Sequence, residues 1–156
     1  MAYKISGKPV ANSILIIDQR ESDRLLLQKT LRGLGVINPI QMLSSGQEAL
    51  HYLQGVAPYS DRSSFPFPTV IFFDLKLPGV SGWDILEWLK ANSVRRKARI
   101  FAYTESMSVS DVRRLYSLGA DSYVAKPTTD VELLRLIYQF PGTWQFETGR
   151  EPSREL

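Results

Sequence analysis

Four polar side chains stand where short, largely apolar runs end. Asp18 follows Ile14-Leu15-Ile16-Ile17, Asp74 follows Val70-Ile71-Phe72-Phe73, Thr104 follows the run Arg99 to Tyr103, and Lys126 follows Ser122 to Ala125. One polar residue at the end of a buried run is ordinary. Two carboxylates, a hydroxyl and an ammonium at equivalent ends form a set with a chemistry. A carboxylate can attack a phosphoryl group and hold it as an acyl phosphate. Attack between two anions needs a divalent cation, and Mg²⁺ is commonly held by one or two carboxylates plus phosphate and water. Charge developing on the phosphoryl oxygens then needs donors, which a lysine and a threonine hydroxyl supply. Asp18 and Asp74 suit the metal, Asp74 the nucleophile, and Thr104 and Lys126 the donors.

Such a set works only if the fold brings the run ends together. The pattern alternates strand and helix five times. Strands are expected at Ile14–Ile17, Pro39–Leu43, Val70–Phe73, Arg99–Tyr103 and Ser122–Ala125. The all-aliphatic runs read as strands buried on both faces. Helices are expected over Asp23–Leu34 behind a Ser22 cap, over Gln47–Gln54, from Ser81 or Gly82 to Ala91, over Ser110–Leu118, and over Asp130–Phe140. Gly35, Gly55, Gly119 and Pro141-Gly142 act as stops. This alternation implies an α/β fold, a mostly parallel sheet with helices on both faces and right-handed crossovers. Five units suggest a doubly wound, flavodoxin-like sheet of order 2-1-3-4-5, in which ligands bind outside the carboxyl ends of the strands. Residues 56–68, rich in proline and serine, form a long loop. The division expected is an N-terminal tail over 1–12, a domain over 13–140 and a C-terminal tail over 141–156.

Composition removes other classes. With no cysteine among 156 residues, disulfide frameworks, thiolate zinc sites and thiol nucleophiles are excluded. Hydrophobic residues at 44% and charged residues at 22% are ordinary for a soluble globular domain. No stretch reaches the ~18 apolar residues of a membrane span, and Met1–Asn12 lacks the apolar core of a signal peptide, so the cytoplasm is expected. The net charge of +3 is due in part to Arg95, Arg96, Lys97 and Arg99. That cluster reads as a solvated loop, and neither a nucleic-acid nor a membrane partner is expected. His51 is the single histidine, which leaves no imidazole pair for a transition metal.

The segments ILIID, VIFFDLKLPGVSGWDIL, RIFAYTES and LGADSYVAKP resemble the receiver domains of two-component response regulators. The resemblance covers Ser13 to Phe140. It implies that Asp74 is the phosphoacceptor, that Thr104 is the family's switch hydroxyl, and that Lys126 is its lysine at the site. It makes Tyr123 the aromatic switch residue and Pro127 a proline in a cis peptide, and has Lys76 offer its backbone carbonyl to Mg²⁺. The family's usual acid pair is here Asp18-Gln19, so Gln19 falls on a metal position and brings no charge to it. The loop before the third strand, the D-L-K-L-P wording and Trp144 are similar to the stand-alone regulators paired with phytochrome-type and hybrid histidine kinases.

The resemblance implies a single-domain response regulator, not a metabolic enzyme. It takes its phosphoryl group from a sensor histidine kinase or phosphotransfer protein and signals to a downstream protein, with a homodimer allowed. The alternative is a phosphorylation-independent pseudo-receiver whose metal site Gln19 has weakened. A flavin protein or aspartate-nucleophile phosphatase of this fold fits poorly. Asp18-Gln19-Arg20 lacks the phosphatase's second aspartate, and the first turn lacks a small-residue phosphate loop. Trp83, Trp88, Gly79 and Gly82 read first as packing and turn residues.

Overall fold

The computed structural model of the protein describes residues 12–92 and 98–147. Five parallel strands lie in the order β2-β1-β3-β4-β5. They are β1 (Ile14–Ile17), β2 (Ile40–Leu43), β3 (Val70–Phe73), β4 (Arg99–Thr104) and β5 (Ser122–Ala125). Between them run α1 (Glu21–Gly33), α2 (Gly46–Gln54), α3 (Gly82–Ala91) and α4 (Val109–Ser117), with α5 (Asp130–Gln139) after β5. This is the flavodoxin-like order expected.

The pleat sends alternate residues to opposite faces. Leu15, Ile17, Ile71, Phe73, Ile100 and Ala102 pack against α2, α3 and α4. Ile14, Ile16, Val70, Phe72, Phe101 and Tyr103 pack against α1 and α5 through Leu27, Leu31, Leu133 and Leu136. β1 and β3 are buried at every residue, which is why they read as unbroken apolar runs. No helix is long and apolar enough to cross a membrane among the described residues.

The entries of α3 and α5 fall where they are expected, while those of α1 and α4 depart from the expected positions. α1 begins at Glu21 with Arg20 at its N-cap and no side-chain cap, so Ser22 lies inside the helix. The reason is local: Asp18 Oδ1 accepts the Arg20 N–H at 2.9 Å and closes the turn before Ser22. α4 starts at Val109 because Ser108 forms a capping box with Asp111. Ser81 caps α3 in the same way with Asp84, as the sequence suggests.

The loop over 56–68 is anchored by one guanidinium. Arg62 donates to the carbonyls of Tyr52, Leu53 and Phe65 at 2.8 to 3.1 Å, closing the C-terminal end of α2. Tyr59 and Phe65 pack their rings on Tyr52. Of the basic cluster, Arg95, Arg96 and Lys97 lie outside the described residues. Arg99 is engaged within the fold, over the Phe140 ring and beside Asp121.

The segment after α5 does not behave as a loose tail as far as Glu147. Trp144 is 6% exposed and stacks on Phe101 at 6.1 Å between centroids. Phe146 forms an antiparallel bridge with Val36, and Ile37 N–H donates to the Gln145 carbonyl at 2.8 Å. The domain boundary expected at Phe140 therefore cuts through packed structure.

Candidate functional site

Strand register brings the four residues to one edge. Ile17 pairs with Phe73, so Asp18 and Asp74 leave neighbouring strands at the same level. Thr104 pairs with Ala125, and Lys126 is the next residue. Three backbone hydrogen bonds hold the level at about 3 Å each: Asp18 N–H to Leu43, Asp74 N–H to Ile17, and Lys126 N–H to Thr104. The site is the last rung of the sheet.

Asp74 is held through both oxygens. Its Oδ1 accepts the Thr104 hydroxyl at 3.1 Å and the Lys76 N–H at 3.0 Å. Its Oδ2 accepts from Lys126 Nζ at 2.8 Å. A carboxylate so held has its orientation fixed while 14% of its side chain stays open to solvent.

Lys126 carries more than this one contact. Its Nζ also lies 3.0 Å from Asp23 Oδ2 and 2.5 Å from Asp18 Oδ2. The Asp18 contact is an ion pair, and this buried Oδ2 has no further partner among the described residues. Burial pushes the Asp18 carboxyl above its ordinary range, against the opposing pull of Lys126 and the Arg20 N–H. Burial alone lowers the Lys126 pKa, but the contacts with Asp18, Asp74 and Asp23 outweigh it and hold the ammonium above its ordinary value. Tyr103, beneath the ammonium at 5.1 Å from its ring centroid, is pushed up to about 12, first by burial and then by the Asp23 carboxylate.

The sequence singles out Asp18, Asp74, Thr104 and Lys126, and these come together. Gln19 is exposed, and its side chain hydrogen-bonds to no other described residue, while its carbonyl accepts from Arg24 at 3.2 Å. Lys76 is exposed and meets Asp74 through its backbone N–H. Tyr123 is half-buried and packs on the cluster under α4. The Lys126–Pro127 peptide is cis, as the resemblance implies. Asp23 is the site residue that sequence reasoning leaves unplaced. Its signal is position: an acid in the first turn of the helix leaving β1 lies at the carboxyl edge of the sheet. Arg20, Asp23, Glu105, Lys126 and Pro127 line an open hollow of about 160 Å³ beside it.

Three carboxylates against one ammonium leave an excess of negative charge, and one buried oxygen lacks a hydrogen bond. Both features fit the Mg²⁺ implied by the resemblance. Among the described residues no three acids or histidines are placed together so as to hold a metal ion by themselves, but Mg²⁺ is usually held through one or two carboxylates and keeps its waters.

The sequence profile described as the response regulator receiver domain matches residues 14–138. The probable methanogenesis regulatory protein FilR2 of Methanothrix harundinacea is 28% identical over 131 residues, 84% of this chain and 82% of that protein. The response regulator Rcp1 of Synechocystis is 26% identical over 140 residues, 90% of this chain and 92% of that protein. The solved structure of the bacteriophytochrome response regulator AtBRR superposes with a TM-score of 0.73, at 29% identity over 83% of this chain and 92% of that one. The profile spans every strand and helix from β1 into α5 and contains all four residues at the sheet edge, and on that match the chain belongs to the response regulator receiver family.

Proposed function

We propose that this receiver is a phosphoryl-accepting signalling switch in which Asp74 takes a phosphoryl group with the help of Mg²⁺. The observation that carries the reading is the treatment of one carboxylate. Thr104 donates to one oxygen of Asp74 and Lys126 to the other, leaving the group oriented and partly open.

The donor we read is a phosphohistidine of a sensor histidine kinase or phosphotransfer protein in the cytoplasm. An Asp74 oxygen forms the new bond to phosphorus, and the phosphorus–nitrogen bond breaks. Its electron pair goes to the imidazole, which takes up a proton from solvent. Lys126 faces the charge that builds on the phosphoryl oxygens, and the Thr104 hydroxyl turns to them as it leaves Asp74 Oδ1. Asp18 and Asp74 would hold Mg²⁺, whose charge allows the two anions to meet. The crystal structure of Rcp1 in a Mn²⁺-bound form supports a divalent cation here.

Movement of Thr104 frees space that Tyr123 can fill, altering the face made by α4, β5 and α5. That face then changes its preference for a downstream protein or a second copy of the chain. Relatives named as bacteriophytochrome response regulators support a phytochrome-type kinase as the donor class. The chemistry is confined to the protein's own phosphorylation and slow dephosphorylation, so the role is signalling and not metabolism. The test is transfer from a small phosphodonor to Asp74. Lack of any Mg²⁺-dependent transfer would favour the second reading, a phosphorylation-independent interaction module, which the neutral Gln19 alone recommends.

A further inference from the structure

The two residues nearest the cation chemistry differ from what the sequence offers. Gln19, on the position where the family carries an acid, is neutral and exposed, and its side chain hydrogen-bonds to no other described residue. Asp23, one helical turn further on, reaches Lys126 Nζ at 3.0 Å, the same ammonium that meets Asp18 and Asp74. Three carboxylate oxygens thus lie within hydrogen-bond distance of one atom. Asp23 in place of the missing acid restores the count of three carboxylates and one ammonium.

Two further features support a role beyond pairing with lysine. Asp18 is fully buried, and among the described residues its Oδ2 meets the Lys126 ammonium as an ion pair without a counted hydrogen bond, which leaves a second lone pair at the centre of the group. Asp23 is also held at its post. Its backbone carbonyl accepts the Tyr103 hydroxyl at 3.3 Å, and the Arg24 guanidinium beside it ties down the carbonyls of Asp18 and Gln19. The acid at the N-terminal turn of α1 is therefore aimed across the sheet edge. Its carboxylate also faces Arg20 at 3.6 Å, an exposed contact at the rim.

We infer that Asp23 supplies the carboxylate that Gln19 does not, making it a residue of the divalent-cation site. This rests on the reading of Asp74 as a Mg²⁺-assisted acceptor. Removing one unit charge this close to a divalent ion weakens binding by about tenfold or more, which is about 1.4 kcal/mol per decade.

The experiment is calorimetric titration of the full unphosphorylated chain with MgCl₂. Asp23→Asn is expected to bind at least about tenfold more weakly than wild type. Glu21→Gln removes the same charge from the same turn at an exposed residue with no part in the site. It is expected to bind within about twofold of wild type, the change a screened, solvent-exposed charge produces. Equal losses in the two variants would overturn the inference, because the effect would then be general electrostatics. Unchanged affinity in Asp23→Asn, with binding lost in Asp74→Asn, would overturn it while leaving the acceptor reading intact. No Mg²⁺ binding by wild type would instead remove the acceptor reading and the inference together. A measurement that needs no variant guards against misfolding. In wild type, the Asp23 carboxyl carbon resonance is expected to shift with Mg²⁺ along the same isotherm as that of Asp74. An Asp23 signal that stays fixed at saturation would contradict the assignment.

Discussion

With Lys126 replaced by methionine, the carboxylates of Asp18, Asp23 and Asp74 face one another with no ammonium between them. All three lie within 3.0 Å of Nζ, and Asp18 and Lys126 are 0% and 6% exposed, so water screens them little. Removing one partner of a buried ion pair costs about 3–5 kcal/mol. Asp18 sets the sign with pH. Burial already raises its carboxyl above the ordinary 3.8, and loss of Lys126 raises it further. A carboxylate whose pKa is higher folded than unfolded loses stability as pH climbs above the unfolded value. Lys126→Met is therefore expected to be much less stable than wild type at neutral pH, with the gap closing on acidification toward 3.8. Urea unfolding at a series of pH values measures it. At this scale Asp18, Asp74, Thr104 and Lys126 were legible, because each ends an apolar run at a fixed strand level. Asp23 was not, since spacing along the chain does not say which way a first-turn side chain points.

The turn after β3 shows how closely an element can press on the carboxylate at the site. A methyl group built on Gly82 would collide with the Asp74 carbonyl and come within 2.6 Å of the Leu75 Cα. The atoms in the way are backbone, which cannot rotate aside. Gly82→Ala is therefore expected to push the start of α3 off the turn that carries Asp74, at a cost of about 1–3 kcal/mol typical of overpacking. Urea denaturation reads the cost, and slower phosphorylation from a small phosphodonor reads the displacement of Asp74. The strands could be placed from the sequence because β1 and β3 are buried on both faces and carry no polar residue. Helix starts are most legible where a serine or threonine cap has an acid three residues on, as Thr129-Glu132 does for α5. Ser81-Asp84 meets that condition, and so does Ser108-Asp111, whose signal the flanking serines obscured. α1 lacks such a cap, and its start is set instead by a strand-end carboxylate doing site work.

Across the whole molecule, the chain closes on itself beyond α5. Trp144 fills the layer beneath Phe72 and Phe101 on the α1–α5 side of the sheet. Asn38 ties the return: it is fully buried, donates to the Asn12 and Thr143 carbonyls, and accepts from the Gln145 N–H. Trp144→Ala is expected to cost about 3–5 kcal/mol, the range for emptying a large aromatic site. Trp144→Phe is expected to cost clearly less. The indole N–H is buried without a hydrogen-bond partner among the described residues, and its removal offsets part of the lost packing. Equilibrium unfolding in urea compares the two. The sequence hid this segment because Pro141-Gly142 is a strong helix stop, and the residues beyond it carry no strand or helix period. The apolar pair Trp144 and Phe146 was the remaining clue, and only the position of Val36 shows where it lands.

The central claim is that the carboxylate gripped by Thr104 and Lys126 accepts a phosphoryl group. Wild-type protein and Asp74→Asn are incubated with acetyl phosphate, with and without MgCl₂, and their intact masses are recorded. The account predicts one phosphoryl group on wild type only when Mg²⁺ is present, and none on Asp74→Asn under either condition. Undiminished phosphorylation of Asp74→Asn, or no phosphorylation of wild type at saturating donor and Mg²⁺, would contradict it.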